Sequence, residues 1–219
     1  MTNRKKRFKV QVPRDEYFSK KSMRKEAFLS MYQQINAIAD LNPKKILEIG
    51  MGNGSVSLLL KNFGYDVTTC DFDAALKPDV VADIRKLPFK DNSFNTILAC
   101  EIIEHIPFKD VPKALSELRR VAKKNVVISA PYSCVSLSGL FKLKIPFLGR
   151  LFNLSVYFPY DWLNPRKFKF NSEHYWEMGR KGYSKKKILT LFNKYFKLVD
   201  CYPELIQPEH YFFILEKRE

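Results

Sequence analysis

The reading of this chain turns on Ile46–Gly54, ILEIGMGNG. Ile46, Leu47 and Ile49 make a short apolar, β-prone run of the kind buried in a parallel sheet. Gly50, Gly52 and Gly54 follow at G-x-G-x-G spacing. Ser55 then opens SVSLLLKNF, in which Val56, Leu59, Leu60 and Phe63 share one helical face. Gly64 is placed to end that helix in left-handed backbone. Strand, glycine turn and helix N-terminus together present bare backbone and N–H groups to a ligand. A dinucleotide fingerprint requires its third glycine where Ser55 stands. Glu48, just ahead of the loop, disfavours a pyrophosphate and favours a ligand that carries an ammonium group.

Upstream, residues 1–19 read as a mobile arm broken by Pro13. From about Ser22 the pattern becomes helical, with Phe28, Met31, Tyr32, Ile35, Ile38 and Ala39 on one apolar face and Asn42-Pro43 as the stop. This helix is expected over the ligand cleft. Downstream, YDVTTCD (Tyr65–Asp71) is a second strand with Asp71 at its carboxyl end, where ligands of open parallel sheets bind. A carboxylate there can accept both hydroxyls of a ribose, and Asp71 is preferred to Asp73. Val80, Val81 and Ala82 form a short third strand, followed by Asp83-Ile84. Asn95–Glu101 is a fourth strand with an acidic end. The helix after Asp110 buries Val111, Ala114, Leu115, Leu118, Val121 and Ala122, and Asn125–Ala130 is a fifth strand.

The E-x-G-x-G-x-G pattern of Glu48–Gly54 resembles the first motif of class I S-adenosylmethionine-dependent methyltransferases. The resemblance sharpens at Asp83-x-x-x-Leu87-Pro88-Phe89, a polar turn, and Phe94 entering the next strand, which is similar to the small-molecule, type 11-like group of that class. It covers about Leu41 to Pro131. It implies S-adenosyl-L-methionine as cofactor, with Gly50, Gly52, Gly54 and neighbours against its methionine and ribose parts. Glu48 and Glu101 are placed near the methionine end, Asp71 on the ribose, Asp83 on the adenine amino group and the Ile84 backbone on the ring. Asn95 stands where the family commonly has Asp, at the strand start and away from the cofactor. CEIIEHIP (Cys100–Pro107) should line the cleft beside the transferring methyl, making Glu101, Glu104 and His105 site candidates. The chain resumes the pattern at Ser184–Phe196, a helix with Ile188, Leu191, Phe192 and Tyr195 inward, and at Lys197–Cys201 and Tyr211–Leu215, an antiparallel strand pair. The expected fold is α/β and Rossmann-like: seven mostly parallel strands, helices on both faces, the last strand antiparallel.

Residues 133–182 fall outside that plan. They alternate Phe, Leu, Tyr and Trp with Lys and Arg, and Pro146, Pro159 and Pro165 interrupt them. Such an insertion suits a substrate lid, a packed cap or a surface lying in a membrane interface. Near its end, H-Y-W-E-x-G (His174–Gly179) resembles a pattern of methyltransferases near polysaccharide genes, and His174 is a second candidate base. The division expected is an arm and helix over 1–40, a cofactor-binding core over 41–132, the cap over 133–182 and a completing helix and strand pair over 183–219.

The net charge of +15 is localised. Residues 1–30 carry 10 Lys/Arg against 3 Asp/Glu, residues 134–187 carry 11 against 3, and the remainder carries 17 of each. The excess favours an anionic partner: a phosphate-bearing or lipid-linked small molecule, an acidic membrane surface or nucleic acid. Ser184 suits a helix N-cap, yet Lys185, Lys186 and Lys187 fill the first turn against the helix dipole, a cost that a bound phosphate would offset. The four cysteines are widely spaced with no Cys/His ligand spacing, which argues against a metal site and fits a reducing cytoplasm. No apolar run is long enough to span a bilayer, so any membrane contact is peripheral, at the inner surface.

The first reading is a methyltransferase acting on a small molecule, a sugar or lipid-linked envelope intermediate. His105 or His174 would take a proton from a hydroxyl acceptor and Glu104 from a carbon acid. RNA methylation is the second reading; Glu101-Ile102-Ile103 stands in place of the D-P-P-Y-type motif of amino-group methylases. The third is a non-catalytic membrane-associated protein that keeps the fold.

Overall fold

A computed structural model describes residues 10–145, 150–160, 173–204 and 208–218. Its main sheet has seven strands: β1 (Lys45–Ile49), β2 (Asp66–Asp71), β3 (Val80–Val81), β4 (Phe94–Cys100), β5 (Ala122–Pro131), β8 (Phe196–Pro203) and β9 (His210–Lys217). A separate hairpin supplies β6 (Val135–Ile145) and β7 (Arg150–Tyr160). The order in the main sheet is β3-β2-β1-β4-β5-β9-β8. β1 to β5 pair in parallel, and β9 runs antiparallel to both β5 and β8. This is the Rossmann-like sheet expected. Strand order reverses between β1 and β4, the switch point at which such sheets open a crevice beyond their carboxyl ends.

Side chains alternate across the sheet and fill two cores. Leu47, Ile49, Ile97, Ala99, Val126, Ile128, Phe213 and Leu215 face one layer, and Ile46, Leu98, Val127, Phe212 and Ile214 the other. The first layer is closed by α4 (Val111–Val121) and α5 (Lys185–Phe192). All five apolar residues of the α4 stripe, Val111, Ala114, Leu115, Leu118 and Val121, are fully buried. The second layer is closed by α2 (Lys25–Leu41) and α3 (Ser55–Asn62).

Three sequence expectations change here. On α3 the buried positions are Val56, Ser57 and Leu60, while Leu59 and Phe63 are exposed. On α2 they are Ser30, Ala37 and Ile38, while Phe28, Tyr32 and Ala39 face solvent. Both helices are amphipathic with a rotated face, because sheet contact and not apolar count decides which side turns in. α2 also packs on the sheet beside α3 instead of covering the cleft. The residues over the cleft come from the arm: Val10, Gln11, Val12 and Tyr17, the last ending the short α1 (Arg14–Tyr17).

Ser184 caps α5 as expected, its hydroxyl accepting the Lys187 N–H at 3.3 Å. Two of the three lysines beside it are compensated within the chain. Lys187 Nζ donates to the Gly182 carbonyl at 2.7 Å and lies 4.8 Å from the Phe108 ring centroid. Lys185 bonds the Tyr211 hydroxyl and lies over its ring. An external phosphate is not needed to explain them.

The hairpin occupies 135–160 of the expected cap; residues 146–149 and 161–172, with Pro146 and Pro165, lie outside the described residues. Val135 pairs with Tyr160, Leu137 with Phe158 and Phe141 with Leu154, so their side chains share one face. Val135, Leu137, Phe141, Leu154 and Phe158 are all exposed. The opposite face carries Ser136, Ser138 and Tyr157, and Tyr157 packs against the core beside Cys134. Among the described residues no helix is long and apolar enough to cross a membrane.

One acid is buried within the sheet. Glu48 on β1 points into the α2/α3 layer at 4% exposure, and its Oε2 has no hydrogen-bond partner. Burial, opposed by a bond from Ser57 and the charge of Lys61, pushes its pKa up to about 7. A carboxyl that ionises near 7 when folded but near 4.5 when unfolded holds more protons in the native state between those values. Its contribution is therefore intact below the lower pKa and is lost as pH rises through about 4.5 to 7, a loss of up to about 3 kcal/mol. Urea unfolding at a series of pH values from about 4.5 to 8 should show Glu48→Gln losing on the order of 2–3 kcal/mol less than wild type over that range. Equal losses would mean that Glu48 titrates normally in the fold.

Candidate active site

The cleft opens at the carboxyl edge of β1, β2 and β4. Gly50 ends β1, donates its N–H to the Cys70 carbonyl at 2.8 Å and has φ +78°. A Cβ built there would stand 1.8 Å from Ile102 Cδ1, so this wall is glycine backbone by necessity. Asp71 lies on the same wall, half-buried, with Oδ1 accepting the Asp73 N–H at 2.9 Å. Burial raises its pKa, with backbone N–H donors, Asp73 first among them, working the other way. Asp83, Ile84 and His105 complete the group of expected residues that line the cleft. Glu48, Gly52, Gly54, Glu101, Glu104 and His174 lie around it rather than on its wall. Gly52 sits under the Tyr17 ring, where a Cβ would come within 3.3 Å of Cδ1. Asn95 is at the start of β4, where Oδ1 accepts the Lys45 N–H at 3.0 Å, away from the cleft as expected.

Asp83 is not a solitary carboxylate. It accepts the Arg85 N–H at 2.9 Å and Nε at 2.8 Å and pairs with Nη2, while Arg85 Nη1 reaches Asp110 at 3.2 Å. Burial pushes the Asp83 pKa up, but the Arg85 bonds outweigh it and hold the carboxyl below its usual range. The arm contributes Tyr17, whose phenol is pushed up to about 12 by burial and then by the nearby Asp71 and Asp73 charges. It also contributes Gln11, whose amide brackets His105: Nε2 donates to the His105 carbonyl at 3.2 Å and Oε1 meets Nδ1 at 2.9 Å.

A second cluster adjoins the cleft at His105. Glu101 follows β4 with φ +52°, donates its N–H to the Ser129 carbonyl at 3.1 Å and accepts the Ser129 hydroxyl at 2.7 Å. Glu104 is fully buried, and neither carboxyl oxygen has a hydrogen-bond partner. Burial, and then the charge of Glu101, raises its pKa well above the carboxylate range. His105 Nδ1 also meets the Glu173 carbonyl at 3.0 Å. Both partners are acceptors, so Nδ1 carries the proton and Nε2 the lone pair. Burial, with His174 alongside, lowers the His105 pKa and keeps the ring neutral.

His174 stands edge-on to His105, ring centroids 5.1 Å apart. Its Nδ1 bonds Glu177 Oε1 at 3.1 Å, and Arg180 Nε holds the other Glu177 oxygen at 3.2 Å. Those bonds, the His174 one foremost, keep the Glu177 carboxyl below its usual range. The H-Y-W-E-x-G run explains how His174 arrives there. Tyr175 N–H donates to the Glu104 carbonyl at 2.9 Å, and the fully buried Trp176 donates Nε1–H to the Ile103 carbonyl at 3.2 Å. Gly179 has φ +86° and no room for a Cβ, which would lie 2.6 Å from the Ser133 carbonyl oxygen. One donor atom from each of Glu104, His105 and His174 lies within 4.8 Å of the others. The absence of local ligand spacing in the sequence did not reveal this group, because it joins two distant segments. Gln11, Tyr17, Arg85 and Glu177 also went unread; only the position of Arg85 beside Asp83 offered a signal.

Residues 47–130 match the family model described as a methyltransferase domain. The demethylmenaquinone methyltransferase of Thermotoga maritima is 29% identical over 140 residues, 54% of this chain and 60% of that protein. The Streptomyces avermitilis protein of the same name is 30% identical over 102 residues, 42% of this chain and 43% of that one. This chain thus spans about half the length of these curated relatives. A Burkholderia thailandensis 1,6-didemethyltoxoflavin-N1-methyltransferase, solved with S-adenosylhomocysteine, has a TM-score of 0.59 at 16% identity over 94% of this chain and 87% of that one. An S-adenosylmethionine-dependent methyltransferase of Clostridium acetobutylicum has a TM-score of 0.55 at 10% identity over 87% and 91%. At those identities the two structures speak for the fold. Residues 47–130 thus match a methyltransferase domain of the type 11-like group, and the seven-stranded sheet around them has the fold of S-adenosylmethionine-dependent methyltransferases.

Proposed function

We propose that this protein transfers a methyl group from S-adenosyl-L-methionine to a small-molecule acceptor. The observation that carries the reading is the meeting of Gly50, Asp71, Asp83, Ile84 and His105 around one cleft. When bound, the cofactor supplies an electrophilic methyl group on a sulfonium, so the demanding chemistry is its own. The chain's residues hold and orient. Asp71 accepts the ribose hydroxyls, the Asp83–Ile84 turn takes the adenine edge, and the glycine loop lets the ligand lie against bare backbone. Glu101 gives the methionine end an acidic neighbour that suits its ammonium group, while Glu48 lies behind the loop in the α2/α3 layer. Tyr17 and Gln11 cover the cleft and exclude water. Glu104, His105 and His174 form the pole at which the acceptor's proton is handled. Holding an acceptor in line with the methyl can supply on the order of 7–11 kcal/mol.

The acceptor we favour is an anionic or lipid-linked molecule, a sugar or envelope intermediate, met at a membrane surface. Two features support this. The hairpin exposes Leu137, Phe141, Leu154 and Phe158 on one face. Residues 134–187 carry 11 Lys/Arg against 3 Asp/Glu. Apolar side chains entering the interface and cations on anionic headgroups are the two terms that bind a peripheral protein. The demethylmenaquinone methyltransferases carry in their name a small-molecule acceptor, which is compatible with this reading.

Calorimetric titration with S-adenosylmethionine should give micromolar binding to the wild type and at least about tenfold weaker binding to Asp71→Ala, since buried bonds to a charged group contribute about 1.5–3 kcal/mol. A wild type that binds no cofactor would sink the reading. In sedimentation with vesicles rich in anionic lipid, the double substitution Leu137→Glu and Phe158→Glu should abolish co-pelleting while leaving cofactor affinity unchanged. Undiminished pelleting would remove the hairpin from any membrane contact.

A further inference from the structure

We propose that Glu104, His105 and His174 bind one divalent first-row cation at the acceptor end of the cleft. The site stands on its own geometry; the catalytic role given to it rests on the methyl-transfer reading above.

Three observations converge. The donors are two imidazoles and a carboxyl, with one atom from each within 4.8 Å of the others. Ligand atoms about 2.0–2.2 Å from a tetrahedral zinc-like ion stand roughly 3.3–3.6 Å apart, so side-chain rotation that moves the donors on the order of 1–1.5 Å closes the shell. Second, Glu104 is fully buried with both oxygens unpartnered, although the same fold pairs Glu101, Glu117 and Glu177. A carboxylate is kept in such a place by a cation. Third, each imidazole is already oriented through Nδ1: His105 by Gln11 Oε1 and the Glu173 carbonyl, His174 by the carboxylate of Glu177. Outer partners of this kind fix the tautomer and ring direction of metal-bound histidines and direct Nε2 to the ion.

Two imidazoles and a carboxylate suit zinc or manganese better than calcium, which prefers an all-oxygen shell. Three protein ligands leave positions open to the cleft through His105. An acceptor hydroxyl bound there has its O–H bond weakened, and its proton passes to water while the oxygen keeps the electron pair it presents to the methyl. The inference therefore assigns the acceptor to hydroxyl-bearing molecules. It also changes the part played by the histidines, from proton acceptors to ligands.

The test uses the full chain, stripped with a chelator and titrated calorimetrically with Zn²⁺ and with Mn²⁺, and separately loaded with Co²⁺ for its visible absorption. One ion per chain is expected. Glu104→Gln and His174→Ala should each weaken it by at least about tenfold and alter the Co²⁺ spectrum. Circular dichroism establishes that both variants are folded; His174→Ala removes a partly exposed ring and serves if the buried substitution does not fold. Asp71→Ala should keep the ion while losing S-adenosylmethionine, which separates failure of this site from failure of the cofactor reading. No binding of either ion by the wild type, or binding unchanged in both folded variants, would overturn the proposal.

Discussion

The pairing of β1 with β2 is the constraint on which the rest of the site depends. Ile49 is in register with Cys70, and the next N–H, that of Gly50, closes on the Cys70 carbonyl at 2.8 Å. That bond ends the ladder with the chain already turning, so the glycine loop and Asp71 leave the sheet side by side. A slip of one residue would exchange the two faces of a strand. Glu48 would then lie in the α4/α5 layer and Asp71 would leave the cleft wall. The same edge is extended by β4, whose register with β1 places Glu101 in the row beyond Cys100. Asp71 and Glu101 thus arrive at one rim because parallel strands end together, without any contact between their side chains being needed to gather them.

A second, non-local constraint fixes the other pole. The turn Ile103–His105 uses two backbone carbonyls, those of Ile103 and Glu104, to receive Trp176 and Tyr175. Trp176 is fully buried and stacks edge-on against Phe108, so the segment after the hairpin is anchored by an aromatic packed into the α4/α5 core. Each bond is modest alone, about 0.5–1.5 kcal/mol. Together with a buried indole they make the 173–179 segment part of the core, and His174 inherits a fixed place beside His105. The hairpin that precedes it is held less fully: Tyr157 reaches the core while the apolar side of the same ribbon faces solvent.

What was legible in the sequence follows from range. The seven strands of the main sheet, the glycine turn and the α4 stripe are written in neighbouring residues, as runs and periodicities, and they came out at or within a few residues of their observed limits, whereas the β6–β7 hairpin was not read as strands. Asp71 was legible because position along a parallel strand fixes its end of the sheet. The buried faces of α2 and α3 were misread because both helices carry apolar residues on more than one side, and burial is decided by the sheet they meet. Arg85 holding Asp83, Gln11 bracketing His105 and Glu177 orienting His174 belong to a different class. Gln11 and His105 are 94 residues apart, and no local pattern ties an amide in a basic arm to an imidazole after the fourth strand. The arm read as mobile because composition alone says nothing of its partners; in the fold its Val10, Gln11, Val12 and Tyr17 line the cleft.

The distribution of charge acquires a meaning from this geometry. The cleft gathers Asp71, Asp73 and Asp83, with Glu101 and Glu104 beside it, while the excess of Lys and Arg lies in the first 30 residues and in 134–187. A uniformly basic protein would repel a cationic cofactor and hold an anionic acceptor indiscriminately. In this sequence the cleft acids and the basic excess fall in different segments. An acidic rim suits a sulfonium and an ammonium group, and its depressed dielectric makes each carboxylate count for more than it would in water. Buried acids are the cost of that arrangement. Glu48 Oε2 and both Glu104 oxygens are buried without a hydrogen-bond partner, and Glu104 belongs to the cluster where a cation is proposed to bind. At Glu104 a cation bound as proposed would offset that cost, so the acid that weakens the fold would also be the one that makes the site selective.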